Sequence, residues 1–306
     1  MHVNEYIHFN WFSAKILRNS VVEYNQSTLF KNNAELGMMS RMNNKKQTIQ
    51  KHIVDKYGKI ALNRTSCCDS GSSRCCSNSE QDTIALSMQI GYSNQEISDV
   101  PNGSNLNLGC GNPQTFAELK QGEVILDLGS GAGFDSFLAA RQVGDQGKVL
   151  GIDMTPAMVR KAKNYANSSS YKNTFFQLGQ IEHLPIKSNG VDVIISNCVI
   201  NLSTDKDQVF REAYRVLKPG GRLAVSDVIA LTELPEEIKN DLELYSDCFS
   251  GALEHNKLTI LLKAVGFSEI SIDFDNKGQD VTQSWSLKYD PVDYIRSASI
   301  RAVKTI

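Results

Sequence analysis

From about residue 114 the chain alternates short apolar runs with amphipathic stretches of helical period. EVILDLG, KVLGID, NTFFQLG, VDVIISN and RLAVSDV read as strands rich in Val, Ile and Leu. Between them the spacing predicts helices over Phe134–Val143, Pro156–Ser169 (with Thr155 as N-cap) and Asp205–Leu217, and KPGG turns the chain into the last of these strands. Such alternation implies an α/β fold, a mostly parallel sheet with helices on both faces. Further helices are expected near 235–246 and 256–265. The alternating runs SEISIDF and YIRSASIRAVKT predict an antiparallel C-terminal edge. Upstream, Ile49, Ile53, Val54 and Tyr57 recur at helical spacing within 43–60, residues 63–82 read as a polar loop, and TIALSMQIG as a short helix ended by Gly91. Residues 1–42 carry no sustained period and are expected to be poorly ordered. The pattern thus divides into an extension (1–42), a helix and Cys-rich loop region (43–113), an α/β core (114–230) and a C-terminal region completing the sheet (231–306).

Charge adds mainly exclusions. With 32 Lys and Arg against 34 Asp and Glu, the net charge is −2, which points to neither nucleic acid nor an anionic membrane as the main partner. No apolar run approaches the length of a membrane span, and the N-terminus lacks an apolar core followed by a small-residue cleavage site, so a cytoplasmic location is expected. The seven cysteines are an odd number in a large chain, which argues against a disulfide framework. Cys67-Cys68 and Cys75-Cys76 are vicinal pairs in a Ser-rich stretch, which packing does not explain; ligation of zinc and incidental thiols both stay open for them.

The strongest local motif is VILDLGSGAGFD, residues 124–135. A strand end is followed by Gly129, Gly131 and Gly133 on alternate positions, and then by a helix whose N-terminus supplies amides for a ligand. Asp127 can accept from a ligand amine. The spacing departs from the dinucleotide pattern G-x-G-x-x-G, since Phe134 stands where the third Gly would be. Asp153, at the end of KVLGID, can take both hydroxyls of a ribose. Together these residues resemble the S-adenosylmethionine site of Rossmann-like class I methyltransferases. The resemblance implies that the loop of Asp127, Gly129, Ser130, Gly131 and Gly133 holds the methionyl part, that Asp153 takes the ribose, that Gln180 and Ile181 edge the adenine, and that Asn197 also binds the cofactor, while Met154 packs against its apolar side or the core.

Three further cysteines stand at loops that can reach the C-terminal edge of the sheet: Cys110 in LGCGNP, Cys198 in ISNCVINLS and Cys248 in DCFSGAL. A buried cysteine is ordinary. Three thiolates converging on one point would bind a soft, thiophilic centre. These motifs, with FREAYRVLKPGGRLAVSDV and the upstream KYGKIA and SCC, closely resemble arsenite methyltransferases over about residues 48–306. The resemblance implies As(III) held by Cys110, Cys198 and Cys248, with Cys67 or Cys68 serving redox turnover or substrate hand-over. It implies S-adenosylmethionine as methyl donor, a thiol reductant (thioredoxin or glutathione), no nucleic-acid or membrane partner, and a monomer.

Two other readings stay open on the sequence. A methyltransferase of a small organic acceptor, such as a quinone precursor, would share the glycine loop but would not need three cysteines. A metalloid-binding or sensing protein would need the cysteines but not an intact Asp127–Gly133 loop. The vicinal pair gives a test of its own, since neighbouring thiols can trade a metalloid or form a transient disulfide. Replacing Cys67 and Cys68 by Ser is expected to slow arsenite methylation and leave S-adenosylmethionine binding unchanged. A double variant as fast as the parent at low arsenite would make the pair incidental.

Overall fold

The computed structural model describes residues 44–62, 80–274, 290 and 293–305. The extension 1–42, the two vicinal cysteine pairs and Trp285 lie outside the described residues. The chain divides at residue 48 into two units, the first contributing to the description only the opening turns of a helix, α1 (44–61). The second unit, residues 49–306, contains the whole sheet.

Seven strands form that sheet: β1 (Val124–Leu128), β2 (Lys148–Asp153), β3 (Thr174–Leu178), β4 (Val191–Asn197), β5 (Leu217–Ala230), β6 (Phe267–Phe274) and β7 (Ile295–Lys304). Their order is β3-β2-β1-β4-β5-β7-β6. The first five are parallel, and β7 runs antiparallel between β5 and β6, as the alternating C-terminal runs predict. The order reverses between β1 and β4, and the crevice beyond their C-terminal ends is where such a sheet receives a ligand.

The remaining helices are α2 (Glu80–Gln89), α3 (Asn94–Ser98), α4 (Phe134–Val143), α5 (Pro156–Ser168), α6 (Lys206–Val216), α7 (Glu236–Lys239), α8 (Leu242–Ser246) and α9 (His255–Val265). Successive residues of β1 point to opposite faces. Leu126 and Leu128 join Phe210 and Ala213 of α6 and Leu258 and Leu262 of α9 in one apolar cluster, whereas Ile125 joins Ala139, Ala140 and Val143 of α4 in another. Both faces are therefore covered, and each fully buried Leu, Ile or Phe contributes about 1.5–3 kcal/mol. Among the described residues no helix is long and apolar enough to cross a membrane.

Three details depart from the sequence pattern. The helix expected near 235–246 is two, because Asp241 accepts from the amides of Glu243 and Leu244 and starts α8 afresh. Lys218-Pro219-Gly220-Gly221 lies inside β5, where the register with β4 slips between Val191 and Val193, so the turn is an irregularity within one long strand. Thr155 stands at the N-cap of α5 without a capping side-chain bond, and its amide donates to Asp153 Oδ1 at 2.7 Å.

The central strands pack closely under the glycine loop. A Cβ on Gly151 of β2 would lie 2.5 Å from the Phe176 ring and 2.8 Å from Ser130 Cβ. Gly151→Ala is expected to cost about 1–3 kcal/mol by overpacking, read as a lower melting temperature. An unchanged melting temperature would show that Phe176 swings aside without cost.

Candidate active site

Where β1 ends, Gly129, Gly131 and Gly133 all adopt positive φ (67°, 53° and 97°). At Gly129 the need is steric as well, because a Cβ there would stand 2.3 Å from Val199 Cγ2. The Gly131 amide donates to Asp153 Oδ2 at 2.9 Å, so the acid at the end of β2 braces the loop. Facing it, the segment Ser104–Gly109 forms one wall of an open cleft that is also lined by Ile90, Tyr92, Asp127, Phe134, Asp135 and Asn197.

The cleft is built for a cation. Asp127, 2% exposed, accepts from Ser136 Oγ at 2.5 Å, and burial followed by repulsion from Asp135 pushes its carboxyl well above the usual range. Asp135 is raised as well, chiefly by burial, although it accepts from Tyr92 Oη at 2.7 Å and Asn197 Nδ2 at 3.1 Å. A buried carboxylate beside a half-buried one gains from a positive ligand. Ser104 and Ser130 line the same cleft with buried hydroxyls that lack a partner among the described residues, so donors and acceptors are available to a polar ligand. An amine, a sulfonium and a ribose fit this donor and acceptor set.

Asn197, the last residue of β4, joins the cleft to a second feature. Its Nδ2 donates to Asp135, to Tyr92 Oη (3.0 Å) and to the Gly111 carbonyl (2.8 Å), while its Oδ1 accepts from the Cys110 amide at 3.0 Å. Just beyond it stand three free, buried thiols: Cys110, Cys198 and Cys248. Cys248 Sγ donates to the Cys198 carbonyl at 2.9 Å, and the Cys198 thiol shares hydrogen bonds with those of Cys110 and Cys248. They belong to an apolar cluster with Ile49, Ile53, Val228 and Phe249, against which Tyr57 and Met154 pack.

The thiols are held protonated. Burial pushes Cys110 up to about 11, the bond with Cys110 and then burial raise Cys198, and the bond with Cys198 and then burial raise Cys248. Two of the three adopt left-handed backbone, Cys198 at φ 57° and Cys248 at φ 64°, a conformation that non-glycine residues rarely take. The first is fixed by its amide donating to the Ser226 carbonyl at 2.8 Å. The second is gripped from α1, where Lys56 Nζ donates to Ser246 Oγ (2.8 Å) and Asp247 Oδ1 (2.7 Å), and Tyr57 Oη to the Ser246 carbonyl (3.1 Å).

Of the residues expected at the cofactor, Asp127, Gly129, Ser130, Gly131 and Asn197 line the cleft. Gly133 is the N-cap of α4, Asp153 braces Gly131, and Met154 packs toward the cysteine cluster. Gln180 is exposed and bridges to His183, and Ile181 is buried in the main core. Tyr92, Asp135 and the Asn105–Leu108 stretch are not singled out by the sequence pattern. Cys67 and Cys68 lie outside the described residues.

Comparison with known proteins places these features in context. A family model described as a methyltransferase domain matches residues 119–266. An arsenite methyltransferase from Halobacterium salinarum is 40% identical over 258 residues, 82% of this chain and 66% of the relative. One from Mus musculus is 45% identical over 168 residues, 52% of this chain and 44% of the relative. The crystal structure of an arsenic(III) S-adenosylmethionine methyltransferase from Chlamydomonas reinhardtii superposes with a TM-score of 0.55 at 32% identity, covering 73% of each chain. The chain thus spans less than two thirds of the length of both curated relatives.

The backbone at Cys198 makes its own prediction. In most places Gly is less stable than Ala by about 0.5–1 kcal/mol, but at positive φ the preference inverts. Cys198→Gly is expected to melt at or above the temperature of Cys198→Ala. A clearly lower melting temperature for the Gly variant would mean that the left-handed conformation is not kept.

Proposed function

The chain belongs to the arsenite methyltransferase family, and we propose that it transfers a methyl group from S-adenosylmethionine to As(III) held by Cys110, Cys198 and Cys248. One observation carries this reading: three free, buried thiols share an apolar pocket that Asn197 ties directly to a cleft suited to a cation. A small organic acceptor would leave that convergence of thiols unexplained, and a metalloid sensor would leave the cleft unexplained.

Asp127, Asp135 and the Gly129–Gly133 loop would hold the methionyl end of S-adenosylmethionine, Asp153 and Met154 its ribose side, and Gln180 and Ile181 its adenine. Bound there, the cofactor supplies an electrophilic methyl on a sulfonium. The chain's own residues do the rest. Each protonated thiol gives its proton to one arsenite hydroxyl, which leaves as water while an As–S bond forms. Three thiols and three hydroxyls exchange without creating a net charge in the apolar pocket. The arsenic keeps its lone pair, so no O–H on the acceptor has to be deprotonated. What remains for the protein is orientation and exclusion of water, and burial of all three thiols serves the second. Each methyl added displaces one sulfur, so binding weakens with successive methylations. A thiol reductant, thioredoxin or glutathione, would restore trivalent arsenic and reduced thiols, with Cys67 or Cys68 in hand-over. We take the enzyme to act in the cytoplasm as a monomer.

The direct test is incubation with arsenite, S-adenosylmethionine and a thiol reductant, with arsenic species resolved by mass. Methylated arsenicals are expected, and their absence from a folded, cofactor-binding protein would overturn the reading. Cys198→Ser and Cys248→Ser should methylate neither arsenite nor monomethylarsenite. Cys110→Ser should lose activity on arsenite yet keep it on monomethylarsenite, which needs only two sulfurs, and all three variants should bind S-adenosylmethionine. If Cys198→Ser methylates arsenite at the parent rate, that cysteine is only packing. Asp153→Ala should weaken S-adenosylmethionine binding by about 1–3 kcal/mol, the range for hydrogen bonds to a charged group, measured by calorimetry; unchanged affinity in a folded variant would remove Asp153 from the site.

A further inference from the structure

Beneath the cysteines lies a charged group that neither arsenic binding nor cofactor binding uses. Asp227, on β5, is 2% exposed, and one of its carboxylate oxygens and the sulfurs of Cys110 and Cys198 all lie within 4.8 Å of one another. Its Oδ2 accepts from the amides of Ile200 (3.0 Å) and Asn201 (3.2 Å), and its Oδ1 from the Val228 amide (2.8 Å) and Asn201 Nδ2 (2.9 Å). Each oxygen already takes two N–H bonds, which uses its capacity as an acceptor. Asp227 is therefore poorly placed to become a fourth ligand; burial pushes its carboxyl up to about 6, and the amide donors and Lys206 work against that rise in favour of the charged form.

We propose that Asp227 is a fixed anion that stabilises the positive charge arriving on arsenic during methyl transfer. The proposal rests on the reading of Cys110, Cys198 and Cys248 as the arsenic site. Arsenic bound to three sulfurs is neutral. Its lone pair forms the As–C bond, the C–S bond of the sulfonium breaks with its pair staying on sulfur, and the donor leaves as a neutral thioether. One unit of positive charge thus moves from donor to arsenic. On the donor side, Asp127 and Asp135 favour the charge staying where it started. An anion beside the arsenic ligands offsets that preference, and being preorganised in a buried, apolar setting it needs no reorganisation as the charge arrives. The opposing group is the half-buried Lys206, whose ammonium donates to the carbonyls of Asn201 (3.3 Å) and Ser203 (2.7 Å) and interacts electrostatically with both Asp227 and Cys248.

The test compares Asp227→Asn, Lys206→Met and the double variant, in the full chain. It measures kcat and KM for arsenite, the affinities for arsenite and for S-adenosylmethionine separately by calorimetry, and melting temperature. For Asp227→Asn, kcat is expected to fall about ten- to a hundredfold while both affinities stay within about threefold. Lys206→Met should raise kcat, and the double variant should be faster than Asp227→Asn alone. A merely structural role, tying the turn Ile200–Leu202 to β5, would move arsenite affinity and melting temperature and would gain nothing from losing Lys206. The proposal is overturned if folded Asp227→Asn keeps kcat within twofold of the parent, or if its loss lies wholly in arsenite binding. Should Asp227→Asn fail to fold, a kcat for Lys206→Met at or below the parent's overturns it instead. A parent chain that binds both ligands but never methylates arsenite sinks the functional reading itself, which is a separate outcome.

Discussion

The geometry at the edge of the sheet depends on the Asn197 side chain. It needs a group with one acceptor and two N–H donors at the end of β4, and it uses all of them: the acceptor on the Cys110 amide, and the two N–H groups shared among Asp135, Tyr92 Oη and the Gly111 carbonyl. An Asp here would face Asp135 charge to charge, and a Leu would leave the Cys110 amide and Gly111 carbonyl without this partner in a buried place, which costs about 1–3 kcal/mol for each such group. The neighbouring sequence is shaped by it. A Cβ on Gly109 would come within 2.6 Å of Asn197 Nδ2, so the glycine before Cys110 is there to let the loop close on the amide. Cleft and thiol pocket are thereby fixed in one register.

The parts of this arrangement legible in the sequence are those with a local pattern. Strand–helix alternation gives the parallel sheet, because both faces are covered and the central strands are largely apolar. The glycine loop is legible because positive φ restricts residue type. Asp135 and Tyr92 escape such a pattern because their importance is a hydrogen bond between distant elements. A local signal is present nearby: Ser93 and Glu96 form a capping box, the S-x-x-E pattern that starts α3 within a stretch that otherwise reads as loop. Asp227 is inconspicuous in RLAVSDV, where an acid near the end of a strand reads as the polar edge of a sheet, although it is buried and holds the turn after Cys198. The three thiols can be nominated from their positions at loops, but their convergence follows from strand order, since β4 and β5 are neighbours and α8 folds back over their ends.

Strain is concentrated where that convergence occurs. Left-handed backbone at Cys198 and Cys248 costs about 1–2 kcal/mol at each. Such conformations persist only when surroundings over-determine them. Here the surroundings do so from different directions: Ser226 across the sheet holds Cys198, and α1 grips the residues before Cys248 through Lys56 and Tyr57. The proposed convergence of the three sulfurs would account for the strain and for its location.

The charge balance follows from the same crowding. Burial in an apolar pocket and the bonds among the thiols raise the proton affinities of the cysteines, and repulsion from Asp227 adds to this. An enzyme that alkylates through a free thiolate needs the opposite, a depressed pKa at an accessible sulfur. The present pocket instead suits a ligand that arrives neutral with hydroxyls able to take the thiol protons, because the exchange then buries no new charge. Charge first moves when the methyl does. The carboxylates nearest the two ends of that movement are Asp127 and Asp135 at the cleft and Asp227 beneath the sulfurs. Under the proposed function, rate and binding would depend on different acids: the cleft pair would govern how firmly the cation is held before transfer, and Asp227 how readily its charge crosses to the acceptor.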